Sequence, residues 1–349
     1  MRQWITLSPL CDQRHNEGSL AVFAARDDNA LCQTPLTNWR FTETPYNKKM
    51  EKRRLGKTDM NVSVLGFGGS EIGYQRTPEE TVANLLNSAL DAGCNVIDTA
   101  ECYRNSEELI GQAVAHRRGE YFLFTKCGHP HGMESAANWS KDSILQSIER
   151  SLTRLKTDKI DIVQLHSCSE AELRKGEVIA ALQTAREKGY TRYIGYSGDS
   201  RAAHYAVECG AFDTLQTSIS IADQEAIDLA LPLAREKNIG VIAKRPIANA
   251  AWKTGHKPID SYQHEYWERL RRLNYDFLHH GDLEHTISIA LRFTLSAPGV
   301  HTAIVGTTKP ERWKENAKLL EDGPLRADEF AAIRHRWEEY APRTWVGQI

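Results

Sequence analysis

The chain has 349 residues, 41% of them hydrophobic and 26% charged, with 44 Lys and Arg against 46 Asp and Glu. The resulting formal net charge of -2 leaves no cationic excess to carry nucleic-acid or anionic-membrane binding. Mean hydropathy is -0.51, and no run approaches the roughly 18 apolar residues of a membrane helix, so the composition is that of a soluble globular protein of one large domain or about two.

The seven cysteines (Cys11, Cys32, Cys94, Cys102, Cys127, Cys168 and Cys209) are odd in number and irregularly spaced, without a C-x-x-C pair. That argues against a disulfide framework or a zinc site and for a reducing, cytoplasmic setting. The first apolar stretch ends at Leu7 with Asp12 close behind, unlike a secretory signal. Glu17, Asp27, Asp28 and Glu43 also oppose a mitochondrial transit peptide. Residues 1–49 lack sustained periodicity and mix polar residues with scattered Pro and Asn. They are expected to be a poorly ordered extension, with Met50 as the natural start and a regulatory arm as the alternative.

From Met50 the pattern changes. Arg53-Arg54-Leu55, a Gly56-Lys57-Thr58-Asp59 turn and Val62-Ser63-Val64 read as a short hairpin. Apolar runs then recur near residues 64–67, 96–97, 121–125, 160–165, 193–196, 214–216, 240–243 and 303–305. Segments of helical periodicity lie between them. Thr77-Pro78-Glu79-Glu80 reads as a helix start with Thr77 at the cap and Pro78 in the first turn. Ser140-Lys141-Asp142-Ser143 reads as another, leading to Ile144, Ile148, Leu152 and Leu155 at helical spacing. Eight strand–helix units over residues 50–349 predict one (β/α)8 TIM barrel with a parallel sheet and a short N-terminal hairpin. After the seventh strand, residues 252–280 are longer than an ordinary connection and are expected to form an extended loop and helix over one barrel face. Trp139 and the aromatic residues Trp252, Tyr262, Tyr266, Trp267 and Tyr275 are candidates for a pocket wall or for loop packing.

Gly66-Phe67-Gly68-Gly69-Ser70-Glu71 misses the last glycine of G-x-G-x-x-G, and neither a P-loop nor H-E-x-x-H occurs. A Rossmann dinucleotide fold is therefore not indicated. His129-Pro130-His131 has no evident third ligand, so a substrate-side loop is expected there and no metal.

In such a barrel the chemistry sits at the C-terminal ends of the strands. The second run leads into Asp98 and Tyr103, the third ends at Lys126 and the fourth at His166. Lys126 follows a run of apolar or small residues, so it is expected to be buried and paired, with Asp98 the nearest partner by topology. Each residue alone has a structural reading: an ion pair, a core tyrosine, a hydrogen-bonded histidine. All four at adjacent strand ends point to one site.

The segment Ile97-Asp98-Thr99-Ala100-Glu101-Cys102-Tyr103-Arg104-Asn105-Ser106-Glu107, with Lys126 and His166, resembles the aldo-keto reductase family, and the resemblance runs from about Arg53 to about Leu320. It implies an NADPH-dependent reductase of aldehydes or ketones that binds its nicotinamide cofactor extended, with NADH as a second form. It also implies Tyr103 as general acid/base, Lys126 tuning it, Asp98 anchoring Lys126, and His166 orienting the carbonyl. The residue types suit that chemistry. Hydride delivered to a carbonyl carbon leaves an oxygen that needs a proton, and a tyrosine hydroxyl can give it. Its ordinary pKa is about 10, which an adjacent ammonium is expected to lower. A histidine donating to the carbonyl oxygen orients it and stabilises the developing charge.

The same resemblance implies cofactor contacts from Gly69, Ser70 and Asp98, and from Ser197 and Gln216 to the carboxamide. Two positions depart from the family pattern. Gly198 stands where an Asn commonly follows the serine. In Val241-Ile242-Ala243-Lys244-Arg245-Pro246-Ile247, Lys244 stands where an aromatic ring often stacks on the nicotinamide. Lys244, Arg245 and Asn249 are candidates for the pyrophosphate, with a solvated basic loop as the alternative. Further along, Gly306 and Thr307 open the segment that resembles the adenosine-phosphate end. Pro310 is expected at the first helical position, Arg312 at a 2′-phosphate, and Glu315 and Asn316 at the adenine. Some members carry a Lys where Gly306 stands, which weakens the preference for the phosphorylated cofactor.

A second class of function is a cofactor-binding redox sensor or regulatory subunit with little turnover, as in potassium-channel β-subunits. The intact set Asp98, Tyr103, Lys126 and His166 favours the enzyme. The expected partner is a small-molecule carbonyl substrate, with neither nucleic acid nor membrane. The sequence leaves the substrate and the oligomeric state open. Cys102, Cys127 and Cys168 flank the site and are expected to be structural thiols.

Overall fold

The computed structural model describes residues 50–129, 139–280 and 282–348. The expected extension over residues 1–49, and His131 of the loop after the third barrel strand, lie outside them. Lys52–Arg54 (β1) and Asn61–Ser63 (β2) pair antiparallel, forming the expected hairpin. Gly56 in its turn has φ +52°, and a Cβ there would meet the backbone of Asn238, Ile239 and Gly240. Leu55, Met60 and Val62 are buried with Val96, Phe124, Ile162 and Ile242, so the hairpin plugs the N-terminal end of the barrel interior.

Eight strands close that barrel. They are Leu65–Gly68 (β3), Val96–Asp98 (β4), Phe122–Cys127 (β5), Ile160–His166 (β6), Thr191–Ser197 (β7), Thr214–Ser218 (β8), Gly240–Lys244 (β9) and Thr302–Gly306 (β10). The order around the barrel is β10-β3-β4-β5-β6-β7-β8-β9, parallel throughout. Each coincides with an apolar run because both its faces are covered, one by the barrel interior and one by helices. Register then sets the rim: Gly306 pairs with Gly68, Gly68 with Asp98, Lys126 with Gln164, His166 with Ser197, and Ser197 with Gln216.

The helices bury the faces that periodicity indicated. Glu79–Asp91 buries Val82, Leu85, Leu86, Ala89 and Leu90. Its start corrects the expectation by one residue. Pro78 holds the cap position with ψ 143°, an extended value that keeps it out of the helix, so Thr77 precedes the cap. Pro310 is corrected likewise: the cap of Arg312–Lys318 is Glu311, and Pro310 stands before it. Ser140 caps Lys141–Arg154 as expected, accepting from Ser143 N at 3.3 Å. Residues 252–280 contain the helices His264–Leu273 and Phe277–His280. Tyr266 and Tyr275 are buried there with Ile221, Phe293 and Trp337, as loop packing, whereas Tyr262 faces the mouth of the barrel. Among the described residues no helix is long and apolar enough to cross a membrane.

Candidate active site

A cavity of about 910 Å³ opens at the C-terminal ends of the strands. Asp98, Tyr103, His166, Ser197, Gln216 and Lys244 all face it. Gly69, Ser70, Asn249 and Gly306 also line it, so most of the residues singled out in the sequence meet in one space.

Its floor is a buried polar network. Lys126 Nζ donates to Asp98 Oδ2 at 2.5 Å and to the Thr99 carbonyl at 2.8 Å. Asp98 Oδ1 accepts from Gln216 Nε2 at 2.8 Å and from Gln164 Nε2 at 3.3 Å, and Ser197 Oγ donates to Gln216 Oε1 at 3.1 Å. The buried carboxylate is thus satisfied on both oxygens, which is the condition for burying a charge at all. Gln164 was not among the sequence candidates. Its signal was present, since it stands two residues before His166 on the same face of β6.

Tyr103 is half-buried in the turn after β4. Lys126 Nζ lies 5.0 Å from the centre of its ring, and the His166 ring meets it edge-on at 5.6 Å. The expectation that Lys126 lowers the Tyr103 pKa is corrected here. Burial, and then the negative charge of Asp98, hold the phenol well above its ordinary value of 10. The ammonium is committed to Asp98, so its charge is largely cancelled as seen from the hydroxyl. Tyr103 is therefore a neutral phenol at pH 7, a proton donor.

His166 is neutral too. Burial, and then the charge of Lys126, hold it well below 6.5. Its Nδ1 lies 3.3 Å from Cys102 Sγ, and its carbonyl accepts from His129 Nε2 at 2.7 Å. Cys102 is thus more than a structural thiol: it lines the cavity and contacts the catalytic candidate. Trp139 stands one row back, edge-on to His129 at 5.4 Å.

At β9 the solvated-loop alternative fails. Lys244 Nζ pairs with Asp199 Oδ2 at 2.8 Å, and the Asp199 carboxylate also takes Thr217 Oγ1 at 2.9 Å and Ser218 N at 2.7 Å. Burial alone would raise the Asp199 pKa, but the Lys244 charge and these donors bring it below 3.8. Arg245 donates to Tyr262 OH at 2.7 Å, to Ser218 Oγ at 2.9 Å and to the Gln348 carbonyl. Both cations are compensated parts of the wall. Asn249, at φ +53°, turns the chain after them, and its Nδ2 is buried without a hydrogen-bond partner among the described residues.

The adenosine-end candidates stand apart from this wall. Arg312 opens the helix Arg312–Lys318, half-buried and paired with Glu315 at 3.1 Å. Asn316 is buried, and Thr307 Oγ1 accepts from Lys309 N at 3.1 Å. Glu71 and Tyr74 are among the wall residues that were not anticipated. Among the described residues no group of three His, Cys, Asp or Glu is placed to hold a metal ion.

Comparison with known proteins places the fold in a family. The oxidoreductase YqkF of Bacillus subtilis is 30% identical over 304 residues, 82% of this chain and 96% of that protein. The NADH-specific methylglyoxal reductase of Escherichia coli is 28% identical over 316 residues, 78% of this chain and 94% of that protein. Among solved structures, the aldo-keto reductase AKR11C1 from Bacillus halodurans, in its holo form, superposes with a TM-score of 0.70 at 28% identity, covering 82% of this chain and 96% of that one. The model of the Aldo/keto reductase family matches residues 64–338, from the first barrel strand to the last helix. With a match of that extent laid over a closed eight-stranded barrel, the chain belongs to the aldo/keto reductase family of oxidoreductases.

Proposed function

We propose that this protein reduces aldehydes or ketones to alcohols with a nicotinamide cofactor, NADPH being the expected form and NADH the alternative. One observation carries the reading: a neutral Tyr103 and a neutral His166 meet over a buried Lys126–Asp98 pair at the mouth of one cavity.

The residues present fit such a cofactor. Gln164 Oε1 is a buried acceptor without a hydrogen-bond partner among the described residues, beside Gln216 and Ser197, and suits a carboxamide N–H. Asn249 Nδ2 is a buried donor in the same position of need, and suits a phosphate oxygen. When bound, the cofactor supplies the hydride. The chain's own residues do the rest. His166 gives an N–H to the carbonyl oxygen, orienting it and stabilising its charge as it develops. A Cys102 thiol donating to Nδ1 leaves that proton on Nε2. Tyr103 passes its hydroxyl proton to the same oxygen. Lys126 lies against the ring of Tyr103 and holds Asp98 beneath it as an ion pair, fixing the floor on which the two donors stand.

Arg312, Glu315 and Asn316 are assigned to the adenosine end, Arg312 as the contact that weights NADPH over NADH. The name of the Escherichia coli relative supports the NADH alternative. A reducing, cytoplasmic setting suits the thiols of Cys94, Cys127, Cys168 and Cys209. Steady-state oxidation of NADPH and NADH with a panel of aldehydes and ketones tests the reading. Carbonyl-dependent oxidation is expected, and tight cofactor binding without turnover on any carbonyl would contradict it in favour of a sensor.

A further inference from the structure

Glu71 has no part in the chemistry above. It is the second residue of the helix Ser70–Tyr74, which follows β3 directly, and it lines the cavity beside Gly69, Ser70 and Gly306. A Cβ built on Gly306 would fall on Glu71 Oε2, so the carboxylate fills the space that a side chain at position 306 would take. The register locates that space. Gly306 pairs with Gly68, and Gly68 pairs with Asp98. The carboxylate therefore lies near a strand end two strands around the rim from Asp98, about 10 Å at ordinary strand spacing.

Among the described residues its one side-chain donor is Ser70 Oγ at 3.0 Å, and no cation lies within ion-pair distance. Burial raises its pKa, a cost that a donor from a ligand would relieve. A carboxylate accepts and does not donate. A nicotinamide dinucleotide offers donors at its carboxamide, its adenine amine and its ribose hydroxyls, while its phosphates would repel a carboxylate. Ser197 and Gln216 stand at the carboxamide end, and Glu315 and Asn316 at the adenine. The donors left over are the ribose hydroxyls, whose vicinal pair matches two carboxylate oxygens, the same chemistry by which acidic residues hold ribose in other dinucleotide sites.

We infer that Glu71 is a ribose-binding residue of the cofactor site, and that Gly306 is the residue whose missing side chain admits it. The inference rests on the nicotinamide-dependent reading above. Its test is fluorescence titration of the wild-type protein, Glu71→Gln and Glu71→Ala with NADPH and with NADH, each variant checked by circular dichroism and thermal melting. Glu71→Gln keeps the shape should Glu71→Ala fail to fold. A rise in Kd of roughly tenfold or more is expected for Glu71→Ala and a smaller rise for Glu71→Gln. Gly306→Ala, whose methyl expels the carboxylate, is expected to show a comparable loss. Loss for both cofactors supports contact with the nicotinamide-side ribose. Loss for NADH alone supports the adenosine-side ribose, whose 2′-oxygen is phosphorylated in NADPH. Unchanged or tighter binding of both cofactors in the two Glu71 variants would overturn the inference while leaving the proposed reaction standing. A wild-type protein that binds neither cofactor would overturn both.

Discussion

The Lys126 ammonium lies 2.5 Å from Asp98 Oδ2 and 5.0 Å from the centre of the Tyr103 ring. It meets the carboxylate as an ion pair and the tyrosine across its ring face. Burial and the Asp98 charge therefore govern the resting state of Tyr103 and keep it protonated. The pair also bears on stability, because both side chains are almost fully buried.

Removing one member strands the other. Asp98→Asn leaves a buried ammonium without its counter-charge and is expected to cost roughly 3–5 kcal/mol of stability. Asp98→Asn combined with Lys126→Met is expected to cost less than Asp98→Asn alone, as read by chemical denaturation. A double variant as unstable as the sum of the two single ones would contradict the coupling.

The pH dependence follows from two shifts of opposite sign. The depressed His166 stays neutral through 6.5, and the raised Tyr103 stays protonated through 10. Because kcat/KM reports groups of the free enzyme, its profile for carbonyl reduction is expected to be flat between those values. An acid limb centred near 6.5 that disappears with His166→Gln would show instead that His166 titrates normally.

Behind the site, Glu107 accepts from Thr125 Oγ1 at 2.7 Å and lies 3.5 Å from Arg154 Nη1. Burial pushes its carboxyl from 4.5 up to about 7, against the opposing hydrogen bonds of Thr125 and Ser151. The folded state thus holds this proton more tightly than the unfolded chain. The group's contribution to stability is full below 4.5 and is lost as pH rises through about 7. That shift is worth about 3 kcal/mol. Glu107→Gln, which keeps the shape without the charge, is expected to raise Tm well above pH 7 relative to wild type, with the gain vanishing below 4.5. A gain independent of pH would contradict the assignment.

The proposed preference for NADPH rests on Arg312, half-exposed and paired with Glu315 at 3.1 Å. Arg312→Ala is expected to raise the Kd for NADPH at least tenfold and to change that for NADH little. Equal effects on both cofactors, measured by the same titration, would remove Arg312 from the 2′-phosphate.

Much of this arrangement was legible in the chain. The barrel strands declared themselves because parallel strands covered on both faces read as unbroken apolar runs. Lys126 was legible as buried from the residues before it, and Asp98 as its partner from the order of the strands. What escaped depends on distances across the rim. Nothing local says that Lys244 meets Asp199, that the Cys102 thiol reaches His166, or that Glu71 enters the space above Gly306. Proximity alone also misjudged Tyr103, since a neighbouring cation acts on it only to the extent that its own counter-ion leaves the charge uncancelled. The helices expected to start at Thr77 and Pro310 begin one and two residues later, because Pro78 itself takes the cap and Pro310 stands before it, and backbone torsion decides where a proline falls.

The central claim is that the Tyr103 hydroxyl delivers the proton. Its most direct test is turnover of Tyr103→Phe on a carbonyl that the wild-type protein reduces, measured beside cofactor Kd. The account predicts that kcat falls by about 100-fold or more while Kd stays within about twofold. Turnover close to that of the wild-type protein, with binding intact, would contradict it.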